Sequence, residues 1–261
     1  MQNQNFDHGK PFDWGKTSKS YAKYRDIYPE EFYERVYAAG IGLPGQEILD
    51  LGTGTGVLPR HMARYGAHFT GVDLSENQIA EARRLTAEAG LSVDYRACPA
   101  EEIDFPDGSF DAVTACQCFC YFDRARLLPR LAGLLKPGGR LCILYMNWLP
   151  EEDALAKASE ELVLRYNPDW TGAGYRRETV SPPEWGREWF ETERAEAFDL
   201  QVPFTRESWN GRMRACRGIE ASLPPEQVAA FEKEHRALLE KTAPEQFSVL
   251  HQATMLVLKK K

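Results

Sequence analysis

The chain has 261 residues, 43% of them hydrophobic and 27% charged, which is an ordinary globular composition and enough to bury a full core. Its formal net charge of −7 argues against a nucleic-acid partner, because phosphate binding normally needs a basic face. The start of the chain is polar and no apolar run approaches the length of a membrane span, so neither a signal peptide nor a membrane helix is predicted.

The six cysteines show no paired C-x-x-C spacing of the kind that binds zinc. A reducing compartment is the natural interpretation, and a cytoplasmic protein without a metal site is expected. The only basic run, Lys259 to Lys261, is interpreted as a solvated tail.

Strand and helix patterns alternate along the chain, which favours a parallel sheet with helices on both faces. The first 40 residues are predicted to be helical around Tyr21 to Tyr24. Ser75 and Asp123 are candidate caps for two later helices, and Pro129 is expected to kink the second helix or to delay its start. Strands are predicted near residues 47–51, 68–73, 92–96, 110–116, 140–146, 196–202 and 252–259, and late helices at 206–219 and 225–241.

The most informative segment is the apolar strand Glu47–Leu51 with the glycine-rich loop and helix that follow it. Gly52, Gly54 and Gly56 allow positive φ angles and a close approach of the backbone to a ligand. The N-terminus of the next helix offers free N–H groups to a carboxylate or phosphate. Asp73, which ends the next strand, is suited to accept hydrogen bonds from ribose hydroxyls. The segment therefore predicts a nucleotide-type cofactor site.

Two more motifs follow in order, Cys98 to Asp111 before the fourth strand and Leu134 to Leu141 before the fifth. With the glycine loop and the Asp73 strand, they resemble the class I, Rossmann-like S-adenosylmethionine-dependent methyltransferases. The match runs from about Pro44 to Tyr145. It implies a seven-stranded, mostly parallel sheet with helices on both faces, completed by an antiparallel last strand.

The resemblance also implies cofactor contacts for S-adenosyl-L-methionine. Asp50 and the loop from Gly52 through Thr53 and Gly54 to Gly56 would hold its methionine part. Asp73 would bind the ribose and Leu74 the adenine. The remaining predicted cofactor contacts are Ala100, Glu101 and Gln117.

The resemblance leads to four segments: an N-terminal helical cap (1–40), a cofactor-binding core (41–147), a lid or acceptor insertion (148–194) and a C-terminal completion of the sheet (195–261). The cap and the insertion are rich in aromatic residues, which fit a planar small acceptor. These residues are Trp14, Tyr21, Tyr24, Trp148, Tyr166, Trp170, Tyr175, Trp185 and Trp189.

The segment leaving the fourth strand resembles a subgroup similar to trans-aconitate methyltransferase. That subgroup has a Gln followed three residues later by a His-Trp pair. Gln117 is kept here, but Cys120 and Tyr121 replace the pair, so no histidine base carries over to that position. If the strand continued, Cys116, Cys118 and Cys120 would share one face, either as packing groups or as a thiol cluster.

Candidate catalytic residues are His251, Cys120 and Tyr21, while His8 and His235 are expected to be exposed. One or two of six arginines are candidates for binding an acceptor carboxylate. These are Arg25, Arg176, Arg177, Arg206, Arg212 and Arg214.

The sequence thus predicts a monomeric or homodimeric methyltransferase acting on a small molecule, with a carboxylic acid among the acceptor classes. The alternatives are a tRNA or protein methyltransferase, a thiol or metalloid methyltransferase, and a non-catalytic S-adenosylmethionine-binding protein.

Overall fold

A seven-stranded sheet runs through the computed structural model, which describes residues 6–261. Its strands are β1 (Glu47–Leu51), β2 (His68–Asp73), β3 (Asp94–Ala97), β4 (Phe110–Cys116), β5 (Leu135–Trp148), β6 (Phe190–Thr205) and β7 (Gln246–Lys260). Their order across the sheet is β3-β2-β1-β4-β5-β7-β6, and the four pairs from β3 to β5 are parallel. The predicted Rossmann-like, mostly parallel sheet is confirmed.

The strand order reverses at β1. The chain first adds strands on one side of β1 and then on the other. β2 and β3 lie on one side of β1, and β4 and β5 on the other. In open α/β sheets such a switch point opens a crevice at the carboxyl ends of the strands, where ligands bind. This topology directs the search for a site to the residues that follow β1, β2 and β4.

Local sequence explains where the helices begin. The helices are α1 (Ser18–Tyr24), α2 (Glu30–Ala38), α3 (Val57–Met62), α4 (Glu76–Glu88), α5 (Arg124–Leu134), α6 (Ala154–Tyr166), α7 (Arg206–Arg214) and α8 (Pro225–Thr242). The Ser75 hydroxyl accepts the Gln78 N–H and so caps α4, as predicted. Asp123 accepts two backbone N–H groups and caps α5, so Pro129 inside that helix does not delay its start.

The C-terminal lysines belong to the sheet, so their interpretation as a solvated tail is wrong. β7 extends to Lys260, whose Nζ donates a hydrogen bond to the Leu135 carbonyl at 2.7 Å. The backbone N–H of Lys261 donates to the Trp189 carbonyl at 3.0 Å.

The chain divides into two compact units. Unit I contains the chain up to Tyr28 together with Asn147–Arg177 and Asp199–Gln252. Unit II contains Pro29–Met146, Glu178–Phe198 and Ala253–Lys261, and so holds β1 to β4 and the glycine-rich loop. Its apolar core includes Leu49, Val113 and Leu131, which are fully buried.

Unit I is organised by a buried polar network that joins three helices. The His235 ring on α8 is fully buried and hydrogen-bonds Asn210 Oδ1 at 2.8 Å and Ser159 Oγ at 3.0 Å. Trp209 Nε1 donates to the same hydroxyl at 2.9 Å. The expectation that His235 is exposed is wrong, because its neighbours on α6 and α7 are distant in sequence.

No helix within residues 6–261 is both long and apolar enough to cross a membrane.

Candidate functional site

Asp50 lies near the end of β1 and is almost completely buried, at 2% exposure. The β1–β4 register places it beside Thr114, whose hydroxyl donates to Asp50 Oδ1 at 2.6 Å. Burial raises the pKa of Asp50 to about 6, against the opposing effect of that hydrogen bond. Thr114 was not identified from the sequence as a partner of Asp50, although the pairing of β1 with β4 places the two residues side by side.

The glycine-rich loop is bound to the end of β2 through Asp73. The Gly54 N–H donates to Asp73 Oδ2 at 3.0 Å, and the Ser75 N–H donates to Asp73 Oδ1 at 2.8 Å. Burial raises the pKa of Asp73, while the two N–H donors stabilise its charged form. Each carboxylate oxygen keeps lone-pair capacity for a further donor.

Two of the loop glycines are required by close packing as well as by their backbone angles. Gly52 and Gly56 have φ angles of 58° and 73°. A Cβ on Gly52 would lie 2.8 Å from Cys118 Sγ, and one on Gly56 would lie 2.3 Å from Tyr95 Oη. The sequence reasoning missed Tyr95 and this role of Cys118 because both contacts cross between strands.

The predicted adenine contacts lie beyond β2 and β3. Leu74 is 56% exposed, an unusual state for a leucine that directly follows a buried strand. Ala100 is buried at 6% exposure. Glu101 Oε1 accepts the Asp123 N–H at 2.8 Å and so ties this segment to the start of α5.

Gln117 follows β4 in a left-handed conformation, with φ of 65°. A non-glycine residue rarely adopts this region, and such strain concentrates at functional sites. The Gln117 backbone N–H donates to the Leu144 carbonyl at 2.8 Å, and its side-chain amide donates to the Met146 carbonyl. The strained backbone is therefore held by β5 on the edge where β4 ends.

We call Asp50, the loop Gly52–Gly56, Asp73 and Leu74 the cofactor cradle, after the role that the sequence predicts for them. It combines two carboxylates with an exposed apolar side chain at one edge of the sheet, and these acceptor groups suit a cationic nucleoside. A sequence profile described as a methyltransferase domain matches residues 49–143. The ubiquinone biosynthesis O-methyltransferase of Xanthomonas campestris pv. campestris (strain B100) is 34% identical over 187 residues, which are 71% of this chain and 77% of that protein. The chain belongs to the class I S-adenosylmethionine-dependent methyltransferases. Its methyl donor is S-adenosyl-L-methionine.

Solved structures agree on the fold. A protein from Bacillus halodurans C-125 assigned as a methyltransferase superposes with a TM-score of 0.54 at 20% identity, covering 88% of this chain and 98% of that one. The YcgJ protein from Bacillus subtilis gives a TM-score of 0.54 at 19% identity, covering 89% of this chain and 99% of that one. At these identities the likeness concerns the fold alone.

The predicted shared face of Cys116, Cys118 and Cys120 does not form. β4 ends at Cys116, and a short 3-10 helix from Phe119 to Tyr121 follows, which breaks the alternation of side chains. Cys118 Sγ donates to the Leu51 carbonyl at 3.0 Å, whereas Cys120 is exposed. Within residues 6–261 no group of three or more His, Cys, Asp or Glu side chains could hold a metal ion.

His251 lies in unit I and is fully buried between two aromatic rings. Its ring centroid is 6.3 Å from that of Trp148 and 6.2 Å from that of Phe204. Nδ1 is 2.9 Å from the Val249 carbonyl, which can only accept, so Nδ1 carries the proton and Nε2 the lone pair. Burial, together with smaller effects from the charges of Arg212 and Arg25, lowers the pKa of His251 to about 3. His251 is therefore neutral at physiological pH.

Three of the candidate arginines are occupied by partners within unit I. Arg177 pairs with Glu152 and Asp199, Arg206 donates to the Ala243 carbonyl, and Arg214 pairs with Glu232 at 2.9 Å. Arg176 is exposed. The guanidinium groups of Arg25 and Arg212 lie over the rings of Tyr21 and Trp148.

The nine aromatic residues expected around the acceptor are divided between the units. Trp14, Tyr21, Tyr24, Trp148, Tyr166, Trp170 and Tyr175 belong to unit I. Trp185 and Trp189 belong to unit II, where they pack against its apolar core. Trp185 also contacts the Phe119 ring, with centroids 5.3 Å apart. These two tryptophans therefore have a packing role in unit II.

Proposed function

We propose that this methyltransferase transfers the methyl group of S-adenosylmethionine to an oxygen of a small-molecule carboxylic acid. The observation that carries the proposal is the acidic cofactor cradle at the carboxyl edge of β1 and β2, where Asp50 and Asp73 meet the glycine-rich loop. Oxygen as the methylated atom is supported by the 34% identical O-methyltransferase from Xanthomonas. The net charge of −7 favours a small acceptor over tRNA.

Each part of the cradle has a role toward the cofactor in this proposal. Asp50 receives the ammonium group of the methionine part, and backbone N–H groups of the loop receive its carboxylate. Asp73 accepts from the ribose hydroxyls with its remaining lone pairs, and the exposed Leu74 covers the adenine. Ala100, Glu101 and Gln117 complete the predicted set. The bound cofactor supplies an electrophilic methyl group on a sulfonium.

A carboxylic acid is favoured by the state of the candidate bases. A carboxylate is already ionised, so its methylation needs no proton acceptor. His251 has a pKa of about 3 and is a weak base as it stands. The Tyr21 ring is covered by the Arg25 guanidinium, whose Cζ lies 4.6 Å from its centroid. The proposal also keeps the role of residues 1–40 as a cap. It keeps residues 148–194 as the source of acceptor contacts.

Mass-spectrometric detection of S-adenosylhomocysteine tests this function. Separate acceptor pools contain carboxylic acids, phenols without a carboxylate, amines, thiols with arsenite, and bulk tRNA. We expect product only with the carboxylic acids. Mild alkali then separates a methyl ester, which is cleaved, from a methyl ether, which is not.

Other results would identify the alternatives. Turnover on tRNA alone would show a nucleic-acid methyltransferase, and turnover with arsenite that is lost in Cys120→Ser would show a metalloid methyltransferase. Tight S-adenosylhomocysteine binding without turnover in any pool would indicate a non-catalytic binding protein. Asp73→Ala serves as the cofactor-free control for every pool.

A further inference from the structure

Arg212 on α7 is a buried cation without a counterion. The residue is 5% exposed, and neither Nε nor Nη1 has a hydrogen-bond partner within residues 6–261. Its Cζ lies 4.8 Å from the Trp148 ring centroid. An aromatic face attracts a cation but does not satisfy guanidinium N–H groups.

The charge of a second guanidinium, that of Arg25, acts on Arg212. Arg25 follows α1, and its Nη2 is 3.5 Å from the Tyr21 hydroxyl. The ionisable groups that act on Arg212 are Arg25, the Cys216 thiol and the phenols of Tyr21 and Tyr28, with no carboxylate among them. Burial first, and then the charge of Arg25, lowers the pKa of Arg212 to about 9. Within unit I, the charge of the half-buried Arg25 thus disfavours the charged form of the buried Arg212.

Helix packing explains how the two arginines meet. Gly211, next to Arg212, lies against the Tyr24 ring of α1, and a Cβ there would come within 2.4 Å of that ring. A glycine at this position lets α1 and α7 approach closely. Two arginines that follow Arg212 in the chain are paired, since Arg214 at the end of α7 contacts Glu232 and Arg217 beyond it contacts Asp7 at 2.8 Å. Arg212 differs from both of them.

The third feature beside Arg212 and Arg25 is a buried nitrogen that can accept a hydrogen bond. His251 Nε2 has no hydrogen-bond partner in the described part of the chain, and the Nδ1–H bond to Val249 leaves the lone pair on Nε2. His251 and Arg212 both contact the Trp148 ring and are coupled electrostatically. We call Arg25, Arg212 and His251 the cationic cluster. It lacks one anion and one hydrogen-bond donor.

We infer that the cationic cluster binds an aromatic hydroxy acid, with the carboxylate on Arg212 and Arg25 and the hydroxyl donating to His251 Nε2. A carboxylate matches the planar guanidinium fork and supplies the absent counterion. The rings of Trp148 and Tyr21 provide flat apolar contacts for a planar ligand. That this ligand is the methyl acceptor rests on the proposed function.

The first test uses benzoate as the probe, with affinity measured by calorimetry and thermal stability measured with and without benzoate. In the wild-type protein benzoate should bind and raise Tm. Arg212→Met should weaken benzoate binding at least 30-fold, and it should raise the Tm of the ligand-free protein because an unpaired buried charge is removed. Arg212→Lys should fall between the two in affinity.

Arg214→Met is the matched control, because it removes a paired arginine from the same helix. It should retain benzoate affinity and lower Tm. A structural role for Arg212 would give the reverse, namely a lower Tm for Arg212→Met. That result, or unchanged benzoate affinity in Arg212→Met, would overturn the inference, as would the absence of benzoate binding to the wild-type protein.

The second test concerns the hydroxyl group. Among 2-, 3- and 4-hydroxybenzoate, at least one isomer should bind fivefold or more tightly than benzoate, while phenol should bind far more weakly. His251→Phe should abolish the preference for the hydroxyl and retain benzoate binding, which also shows that the variant is folded. A preference that survives in His251→Phe would contradict the role given to Nε2.

The two proposals fail separately. Benzoate binding that depends on Arg212, without methylation of any acid by a protein that binds S-adenosylmethionine, would refute the proposed function and leave the anion site in place. Methylation of acids with an unchanged KM in Arg212→Met would support the function and refute the site.

Discussion

The two units stabilise buried charge in opposite ways. In unit II, the carboxylates of Asp50 and Asp73 receive hydrogen bonds from Thr114, Gly54 and Ser75. In unit I, Nε and Nη1 of Arg212 and Nε2 of His251 are buried without a hydrogen-bond partner among the described residues. The carboxylates of the cofactor cradle thus receive hydrogen bonds from the chain itself. The cationic cluster, in contrast, lacks an anion and a hydrogen-bond donor.

This difference bears on how a methyltransferase of this class changes its acceptor. The cradle depends on contacts between adjacent strands and loops, so its geometry follows from the shared fold. The cationic cluster depends on helix packing and on single side chains of unit I. In the proposed arrangement, a few substitutions there would alter the ligand without disturbing the cofactor cradle.

The largest effect is expected from an added methyl group in the cradle. Gly56→Ala should lower the free energy of unfolding by about 3 kcal/mol, because its Cβ would lie 2.3 Å from Tyr95 Oη and φ is 73°. Urea denaturation measures this change. Gly90→Ala is the control, since φ is 65° and no atom lies within 4 Å, and it should cost only about 1 kcal/mol of strain. Equal losses in both variants would contradict the packing role of Gly56.

Removing the acid that ends β2 tests whether the cradle is built around it. Asp73→Ala should weaken S-adenosylmethionine binding roughly 100-fold, because charge-assisted hydrogen bonds to the ligand and to the Gly54 N–H are both lost. Isothermal titration calorimetry measures this affinity. Asp107→Ala removes an exposed carboxylate that pairs with Arg130 and should leave the affinity unchanged. An affinity within threefold of wild type for Asp73→Ala would exclude the assigned role.

Buried imidazole makes unit I sensitive to acid. The pKa of His251 is about 3 in the folded chain and about 6.5 when exposed, so the unfolded chain binds the extra proton between these values. Stability is therefore lost as the pH falls through 6.5. At pH 4.5 this residue should account for about 2.5 kcal/mol less stability than at pH 7.5.

His251→Phe should remove that part of the pH dependence, as measured by urea denaturation at both pH values. The wild-type slope between pH 7.5 and 4.5 is then steeper than that of the variant. Parallel curves would mean that the imidazole titrates in the folded protein as it does in water. An NMR titration of the His251 ring provides an independent check.

A smaller effect is expected from the protonation of Asp50. Its pKa of about 6 in the ligand-free protein means that most of these carboxyl groups are neutral at pH 5. If Asp50 binds the cofactor ammonium, S-adenosylmethionine affinity should fall about tenfold from pH 7 to pH 5. In Asp50→Asn the affinity should be lower throughout and nearly independent of pH. A similar pH dependence in both proteins would assign it to another group.

Much of unit II was predictable because its information is local. β1, β2 and β4 have the residue bounds that the apolar runs predict, and the capping positions Ser75 and Asp123 were found from neighbouring residues. The errors concern contacts that are distant in the chain. His235 is buried through α6 and α7, and the cysteines lose their common face because a 3-10 helix follows β4.

The sequence by itself determined the fold class, the glycine-rich loop and the acids near the ends of β1 and β2. Strand periodicity, positive-φ glycines and strand ends act over a few residues, so they can be recognised without a structure. Only the tertiary structure decided which of six candidate arginines lacks a counterion and which histidine is buried with a free lone pair. Burial and pairing depend on residues far apart in the chain, such as Arg25 and Arg212. No local pattern encodes the low dielectric that makes an unpaired charge there informative.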